Sequence, residues 1–172
     1  MNKEHQFRPA TPDDAGAIWE ILNQGIIRRK ADGSNQWQDG YPNPDVVKKD
    51  IEKGVGHVLL VEGTIAGYVV LIINEEPAYA DIEGEWLTDG DFVVYHRVAV
   101  HDKFLGQGLS TALLNYAEQF ARLLDIPSLR ADTNHDNPAM LHLFEKLGYQ
   151  YCGQVYFRGS ARRAYEKVLT GA

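Results

Sequence analysis

One segment constrains the fold of this chain more than any other: a strand-like run that passes through two glycines directly into a long helical pattern. The run covers residues 92–100, and Leu105-Gly106-Gln107-Gly108-Leu109-Ser110 then opens the helical pattern. The first N–H groups of a helix lack partners within it and carry partial positive charge. Glycines let an anion reach those groups, and Ser110 adds a hydroxyl. The segment predicts a phosphate-binding turn, although a plain tight connection uses the same residues.

The residues around these glycines exclude two common nucleotide-binding turns. A dinucleotide fingerprint needs a third glycine, and Thr111 stands in that position. A nucleotide-triphosphate loop needs Gly-Lys-Ser or Gly-Lys-Thr, and the sequence contains neither. The turn therefore predicts a phosphorylated ligand of another kind.

Length and composition indicate one domain over residues 1–172, with 44% hydrophobic residues available for a core. The 24 acidic and 17 basic residues give a net charge of -7, which argues against general affinity for nucleic acid or anionic membranes. Cys152 is the single cysteine, which excludes an internal disulfide and suits a reducing compartment. The first ten residues contain no apolar stretch. A cytoplasmic protein is expected.

Hydrophobic periodicity and turn residues predict alternating strands and helices. Strands are expected at residues 7–10, 57–61, 65–73, 92–100, 129–133, 149–157 and 161–169. Helices are expected after Thr11, from Pro44, from Leu109 to a stop at Pro127, and over residues 138–147. Hairpins at both ends with a strand–helix alternation between them imply an α/β protein with a mixed sheet. That sheet should contain about seven strands flanked by about four helices.

A second motif lies in the predicted helix near the end of the chain. Residues 137–149 read Asn-Pro-Ala-Met-Leu-His-Leu-Phe-Glu-Lys-Leu-Gly-Tyr. Together with the glycine turn after Val100, this motif resembles the GNAT superfamily of acyl-CoA N-acyltransferases. That family carries Arg/Gln-Gly-x-Gly-Ile/Leu-Gly/Ala and then Asn-x-x-Ala-x-x-Leu-Tyr-x-Lys-x-Gly-Phe. Leu105, Ser110 and Phe144 depart from these patterns. The resemblance implies a GNAT-like acyl-CoA N-acyltransferase fold.

The resemblance also implies acetyl-CoA as co-substrate and no metal. The residues it assigns to coenzyme A binding are Val98, Val100, Leu105, Gly106, Gln107, Gly108, Ser110, Asn137 and Phe144. In the family, a strand backbone pairs with the pantetheine arm, and turn amides bind the pyrophosphate. Asn137 has a second interpretation, because an asparagine directly before a proline also caps a helix.

Acyl transfer to an amine needs one group that accepts the ammonium proton and another that protonates the departing thiolate. His96 in the central strand is the favoured base because imidazole titrates near neutral pH, although strand histidines are often simply packed or hydrogen-bonded. Glu83 or Glu85 is an alternative base that would act through water. The tyrosine that serves as the acid in the family corresponds to Phe144, which has no proton to donate. Tyr149, Tyr151 and Tyr156 are candidate replacements by proximity only, each against the alternative of a packed strand aromatic.

The connection before the central strand contains no lysine or arginine among its carboxylates. Its acidic residues are Glu75, Glu76, Asp81, Glu83, Glu85, Asp89 and Asp91. Such a run is typical of a solvated loop, and at this position it also attracts a cationic amine. Trp37 and Tyr41 in the early loop are expected to bind the acceptor, or to pack at the edge of the domain. The aspartates and histidines of residues 132–142 lack a recognised metal-ligand spacing, so no metal is predicted.

These inferences predict an N-acetyltransferase that moves an acetyl group from acetyl-CoA to a primary amine of a small molecule by direct attack. Two alternatives stay open. One is a non-catalytic acyl-CoA-binding module, and the other is an enzyme that acetylates protein N-termini or lysines. Neither nucleic acid nor membrane is an expected partner, while the edge strands of the closing hairpin are compatible with a homodimer.

Overall fold

The computed structural model describes residues 4–169, and within that range the chain forms one mixed eight-stranded sheet and four α-helices. The strands are β1 (His5–Pro9), β2 (Gly56–Val61), β3 (Thr64–Ile73), β4 (Glu83–Gly84), β5 (Val93–Val100), β6 (Ser128–Thr133), β7 (Gln150–Phe157) and β8 (Ser160–Val168). The helices are α1 (Ala15–Ala31), α2 (Pro44–Glu52), α3 (Leu109–Leu123) and α4 (Pro138–Lys146). The strand order is β1-β2-β3-β5-β6-β8-β7-β4. The predicted mixed α/β fold is confirmed.

The described chain divides into two compact units. The first unit contains the residues up to Leu71 together with Arg97–Tyr116, and the second contains Ile72–His96 together with the residues from Ala117 onward. Both β5 and α3 therefore contribute one end to each unit.

In the first unit, β1, β2 and β3 form antiparallel ladders. Glu62 and Gly63 join β2 to β3 with φ angles of 49° and 82°, the positive values that a tight hairpin turn requires. Pro12–Asp14 forms a short 3-10 helix before α1, and the Asp14 carboxylate accepts hydrogen bonds from the Thr11 backbone and from Arg8. Local capping chemistry, visible in the sequence, thus fixes where the first helical segment begins.

In the second unit, β5 pairs with β6 in parallel, and β6, β8 and β7 follow in antiparallel ladders. The recorded β5–β6 register consists of Val93 with Leu129 and Val94 with Arg130. The core of this unit contains Tyr79, Val94, Val155 and Ala164, with Ile82, Trp86, Phe92 and Phe157 packed against them. Three of these aromatic residues lie in or near the acidic connection, which therefore supplies core residues as well as charge.

The eighth strand, β4, is the difference from the expected count of about seven, and it also lies in the acidic connection. Glu83 and Gly84 pair with Gln154 and Gly153 of β7. A Cβ atom on Gly84 would lie 2.1 Å from the carbonyl oxygen of Cys152, so only glycine permits this close approach. A two-residue strand has no periodicity that a sequence pattern can reveal, because its stability comes from the partner strand.

Candidate active site

The predicted phosphate-binding turn precedes α3 in the first unit. Gly106 and Gly108 have φ angles of 77° and 76°, in the left-handed region that favours glycine. Residues 105–108 and Ser110 are exposed, while Leu109 is buried and anchors the first turn of the helix. A Cβ atom at either glycine would meet no other heavy atom within 4 Å. The backbone is therefore accessible, and its glycines are required by conformation rather than by crowding.

The resemblance also assigns two strand residues and one helix N-cap residue to coenzyme A binding. Val98 and Val100 lie buried in β5. Asn137 caps α4, because its side-chain oxygen accepts a hydrogen bond from the Met140 N–H at 3.2 Å. The capping interpretation of Asn137 is thus confirmed, and it leaves the coenzyme assignment as a prediction.

His96, the expected base, pairs with Glu76 in the second unit. Its Nε2 atom lies 2.7 Å from Oε2 of Glu76, and the two side chains are 16% and 13% exposed. Glu76 precedes the 3-10 helix Pro77–Asp81 and accepts a hydrogen bond from the Ala78 N–H. In the sequence, Glu76 stands out only as one member of the acidic run. The one local cue to its fixed position is the proline that follows it, because proline is common as the first residue of a helix.

Aromatic rings surround this histidine. The rings of Tyr79 and Phe157 meet His96 edge-on, with centroid separations of 6.4 Å and 6.2 Å. The Tyr79 hydroxyl donates to Asp132 at 2.6 Å, and the Trp86 indole N–H donates to the Tyr79 carbonyl at 2.9 Å. The first bond holds the Tyr79 ring and the second holds its backbone. The position of this ring beside His96 is therefore well defined.

A cavity of about 470 Å³ lies in the second unit. Its lining residues are Asn74, Glu75, Glu76, Pro77, Tyr79, Ala80, Ile82, Trp86, Phe92 and Arg130. The lining combines aromatic rings and the Glu75 and Glu76 carboxylates with the Arg130 guanidinium, so its acidic groups outnumber its basic group by one.

In the first unit, Arg97 forms a network that leaves little of its hydrogen-bonding capacity to water. Its guanidinium donates to Asp50 through two nitrogens, at 2.9 Å and 2.6 Å, and a third nitrogen donates to the Tyr41 hydroxyl. The Tyr68 hydroxyl donates to Asp50 at 2.8 Å. Burial and then the Asp50 charge raise the pKa of Tyr68 well above its ordinary value. Asp50 lies 47 residues before Arg97 in the sequence, so no local pattern could identify it as the partner.

Arg97 also has an unusual backbone. Its φ angle of 56° lies in the left-handed region although it stands inside β5. A non-glycine residue in this conformation costs about 1 kcal/mol or more and persists only where surrounding contacts determine it. The bidentate bonds to Asp50 are such contacts.

The two residues expected to bind the acceptor have different surroundings. Tyr41 meets Arg97, as described above. Trp37 is 5% exposed and packs on α1, where the guanidinium carbon of Arg29 lies 3.9 Å from its ring centroid. A Cβ atom on Gly25 would lie 3.1 Å from the indole, so this glycine makes room for the ring.

The two remaining catalytic candidates lie in the second unit. Glu83 is exposed, and its carboxylate accepts a hydrogen bond from the Tyr156 hydroxyl at 2.9 Å. Tyr149 is buried against Phe144 and meets Tyr95 edge-on, with ring centroids 5.2 Å and 6.3 Å away. Burial raises the pKa of Tyr149 well above its ordinary value. Tyr149 is thus next to the ring that replaces the family's tyrosine.

A buried ion pair secures the end of the acidic connection. Glu166 is fully buried and accepts hydrogen bonds from the side chains of Ser128 and Arg130. It also accepts hydrogen bonds from the Leu87 backbone N–H and the Thr88 hydroxyl. Burial alone would raise the pKa of Glu166, but these donors and the Arg130 charge hold it below its ordinary value. The Arg130 guanidinium also lies over the rings of Trp86 and Phe92, at 4.4 Å and 4.1 Å.

Within residues 4–169, no group of three or more histidine, cysteine, aspartate or glutamate side chains is arranged to hold a metal ion. In the same range, no helix has both the length and the apolar character needed to cross a membrane.

Comparison with known proteins identifies the family. The sequence model of the acetyltransferase (GNAT) family matches residues 25–149, which include both predicted motifs. The chain is 29% identical over 167 residues to the uncharacterized N-acetyltransferase YesJ of Bacillus subtilis, covering 94% of this chain and 89% of YesJ. It is 30% identical over 155 residues to the L-amino acid N-acyltransferase MnaT of Escherichia coli, covering 87% of this chain and 81% of MnaT.

A solved structure gives the same result. The crystal structure of a GNAT-family acetyltransferase from Streptococcus agalactiae superposes with a TM-score of 0.88 at 34% identity, covering 99% of this chain and 100% of that one. Members of the family use acetyl-CoA as co-substrate. The matched motifs, the sheet and these relatives agree: the chain belongs to the acetyltransferase (GNAT) family.

Proposed function

We propose that this protein transfers the acetyl group of acetyl-CoA to the amino group of a small molecule by direct attack. The observation that carries the proposal is the exposed glycine turn at the start of α3, within the region matched by the family model. The proposal treats residues 1–172 as one N-acetyltransferase domain, since the match includes residues of both compact units. We further propose a cytoplasmic location.

The turn has the properties that a pyrophosphate requires. Gly106 and Gly108 directly precede α3, with open space where side chains would stand. The exposed Ser110 hydroxyl adds a donor in the first helical turn. Leu105 and Gln107 flank these glycines. The adjoining strand residues Val98 and Val100, with Asn137 and Phe144, complete the coenzyme assignment proposed from the resemblance.

The chemistry requires a proton acceptor for the substrate ammonium, and His96 is proposed for that role. After deprotonation, the amine nitrogen forms a bond to the thioester carbonyl carbon. The resulting tetrahedral intermediate loses a second proton from nitrogen, the carbon–sulfur bond breaks, and the thiolate takes up a proton. Glu83 acting through water is the alternative base. Tyr149 is the candidate proton donor to the thiolate, with water as its alternative because Phe144 replaces the family's tyrosine.

Two observations support a small amine as the acceptor. The relative MnaT is named as an L-amino acid N-acyltransferase, and L-amino acids are small amines. The cavity in the second unit presents the carboxylates of Glu75 and Glu76 beside aromatic rings, which favours a cationic ligand. Trp37 and Tyr41 are proposed to contribute to the acceptor site from the early loop. Protein N-termini and lysines remain the alternative acceptors. A homodimer is a further proposal, but the expected edge strands of the closing hairpin are not edges, because β6 flanks β8 and β4 flanks β7 in the sheet.

Calorimetric titration with acetyl-CoA, coenzyme A and ATP tests the coenzyme part of this proposal without knowledge of the acceptor. Binding of both coenzymes and not of ATP is expected. Failure of either coenzyme to bind would overturn the assignment of the glycine turn.

A thiol-release assay with acetyl-CoA and a panel of amino acids, polyamines, aryl alkyl amines and peptides then tests the reaction. Turnover with small amines is expected. Retained coenzyme affinity without turnover on any amine would instead support the non-catalytic acyl-CoA-binding module that the Phe144 departure favours.

A further inference from the structure

We infer that Glu76 is a positioning residue that holds His96 in one tautomer, so that Nδ1 is the atom that accepts the substrate proton. The inference rests on the proposed role of His96 as base and adds a second residue to it. Its basis is the 2.7 Å contact between Nε2 of His96 and Oε2 of Glu76. A carboxylate only accepts hydrogen bonds, so Nε2 carries the hydrogen and a neutral ring keeps its lone pair on Nδ1.

Glu76 is suited to this role because its own position is fixed. Its carbonyl oxygen accepts a hydrogen bond from the Tyr79 N–H at 3.0 Å, and Pro77 follows it as the first residue of the 3-10 helix. Its second carboxylate oxygen lies 3.4 Å from the Ala78 nitrogen. This capping contact is long, whereas the contact with His96 is short. The carboxylate is therefore directed mainly at the histidine.

The imidazole ring is also restrained from its sides. Tyr79 and Phe157 face it edge-on, and the Tyr79 hydroxyl is held by Asp132. The charged groups near the ring are thus Glu76 directly and Asp132 beyond Tyr79, and Arg162 lies 3.8 Å from Asp132. Asp132 has these two partners of its own, which leaves Glu76 as the carboxylate that pairs with the ring.

The two ring nitrogens consequently differ. Within residues 4–169, Glu76 is the recorded hydrogen-bonding partner of Nε2, and none is recorded for Nδ1. When Nδ1 takes the proton from the acceptor ammonium, the ring becomes an imidazolium whose positive charge faces the Glu76 carboxylate. Release of the proton from Nδ1 to water restores the starting tautomer.

The tautomer is measured directly by nitrogen-15 NMR of the histidine side chains, with His96→Asn used to assign the signal. At a pH where the ring is neutral, the wild-type protein is expected to show a protonated Nε2 and a lone pair on Nδ1. Glu76→Ala should give a mixture of tautomers. A wild-type ring protonated at Nδ1, or an unchanged tautomer in Glu76→Ala, would overturn the inference. This readout needs no substrate, so it decides the point even if no amine is acetylated.

Kinetics supply the second readout, with Glu52→Gln as a matched control. Glu52 is an exposed carboxylate at the end of α2 and belongs to no part of the proposed site. We expect Glu76→Gln to lower kcat by about tenfold or more while the KM for acetyl-CoA stays within about twofold. Glu52→Gln should leave both constants unchanged. Equal effects of Glu52→Gln and Glu76→Gln, or a kcat unchanged in Glu76→Gln, would contradict the role.

Discussion

Two consecutive residues of β5, His96 and Arg97, each contact a carboxylate from a distant part of the sequence, yet the two pairs differ in what they leave available. Asp50 engages two nitrogens of Arg97, Tyr41 engages the third, and the pair is buried. Glu76 engages one nitrogen of His96 and leaves the other without a recorded protein partner within residues 4–169. An ion pair in a strand therefore does not by itself indicate a structural or a chemical role.

The difference lies in how completely each side chain is satisfied. A buried guanidinium held by two acceptors keeps its charge and cannot exchange protons near neutral pH. An imidazole held at one nitrogen has a defined second nitrogen that can accept and release a proton. We therefore propose that Arg97 and Asp50 serve stability and that His96 and Glu76 serve the reaction. Two predictions test that division directly, and two more test the glycine turn and a third paired carboxylate, from the largest expected effect to the smallest.

Asp50→Ala should be the most destabilising change of the set. It leaves the Arg97 guanidinium buried without its anion and removes the acceptor of the Tyr68 hydroxyl. The expected loss is about 3–5 kcal/mol in the free energy of unfolding, measured by urea denaturation. Glu76→Ala is the matched comparison and should cost less, about 1–2 kcal/mol, because it leaves an imidazole without one hydrogen bond rather than an uncompensated guanidinium. Equal losses in the two variants would remove the distinction between the pairs.

His96→Ala should mainly affect the reaction. A missing general base is expected to lower kcat by about 100-fold, with little change in coenzyme A affinity measured by calorimetry. His5→Ala, at an exposed position of β1, serves as the control and should leave both quantities unchanged. A kcat and pH profile unaltered by His96→Ala would exclude His96 from the mechanism.

Gly108→Asp should weaken coenzyme A binding by about tenfold relative to Gly108→Asn. Asparagine has nearly the same shape and tolerates the left-handed φ of 76° at this position, so the comparison isolates the added negative charge. Calorimetry measures both affinities. Identical affinities would show that no pyrophosphate lies near the turn, which would separate coenzyme binding from the glycine motif.

The smallest expected effect concerns a third paired carboxylate, Asp14. The hydrogen bond from Arg8, with those from Thr11, lowers the pKa of Asp14 to about 2. Because this folded-state pKa is below the unfolded value of about 3.9, the stabilisation is present above pH ~4 and is lost as the pH falls through 2. Arg8 is partly exposed, so we expect about 1 kcal/mol.

The measurement compares wild type with Asp14→Asn by urea denaturation at several pH values between about 5 and 2. The difference between their free energies of unfolding should shrink towards the acid end. A difference that stays constant with pH would mean that the charge of Asp14 adds nothing, and that its role is capping alone.

Local chemistry explains why so much of the fold was predictable. Thr11 and Asp14 mark the start of the first helical segment, Glu62 and Gly63 form the turn between β2 and β3, and Gly106 and Gly108 precede α3. Each signal depends on residues that are neighbours in sequence. The two-residue strand β4 escaped prediction because its pairing with β7 depends on a glycine contact about 70 residues away.

The candidate site divides in the same way. The sequence alone determined the family and the order of the helices and of every strand except β4. It also predicted the phosphate-binding turn and His96 as the base, since these follow from local spacing, motif or residue type. Only the tertiary structure decided that Glu76 pairs with His96, that Asp50 occupies Arg97, and that Trp37 packs on α1. Backbone geometry responds to residues close by in the chain, whereas side-chain partners are selected by proximity after folding.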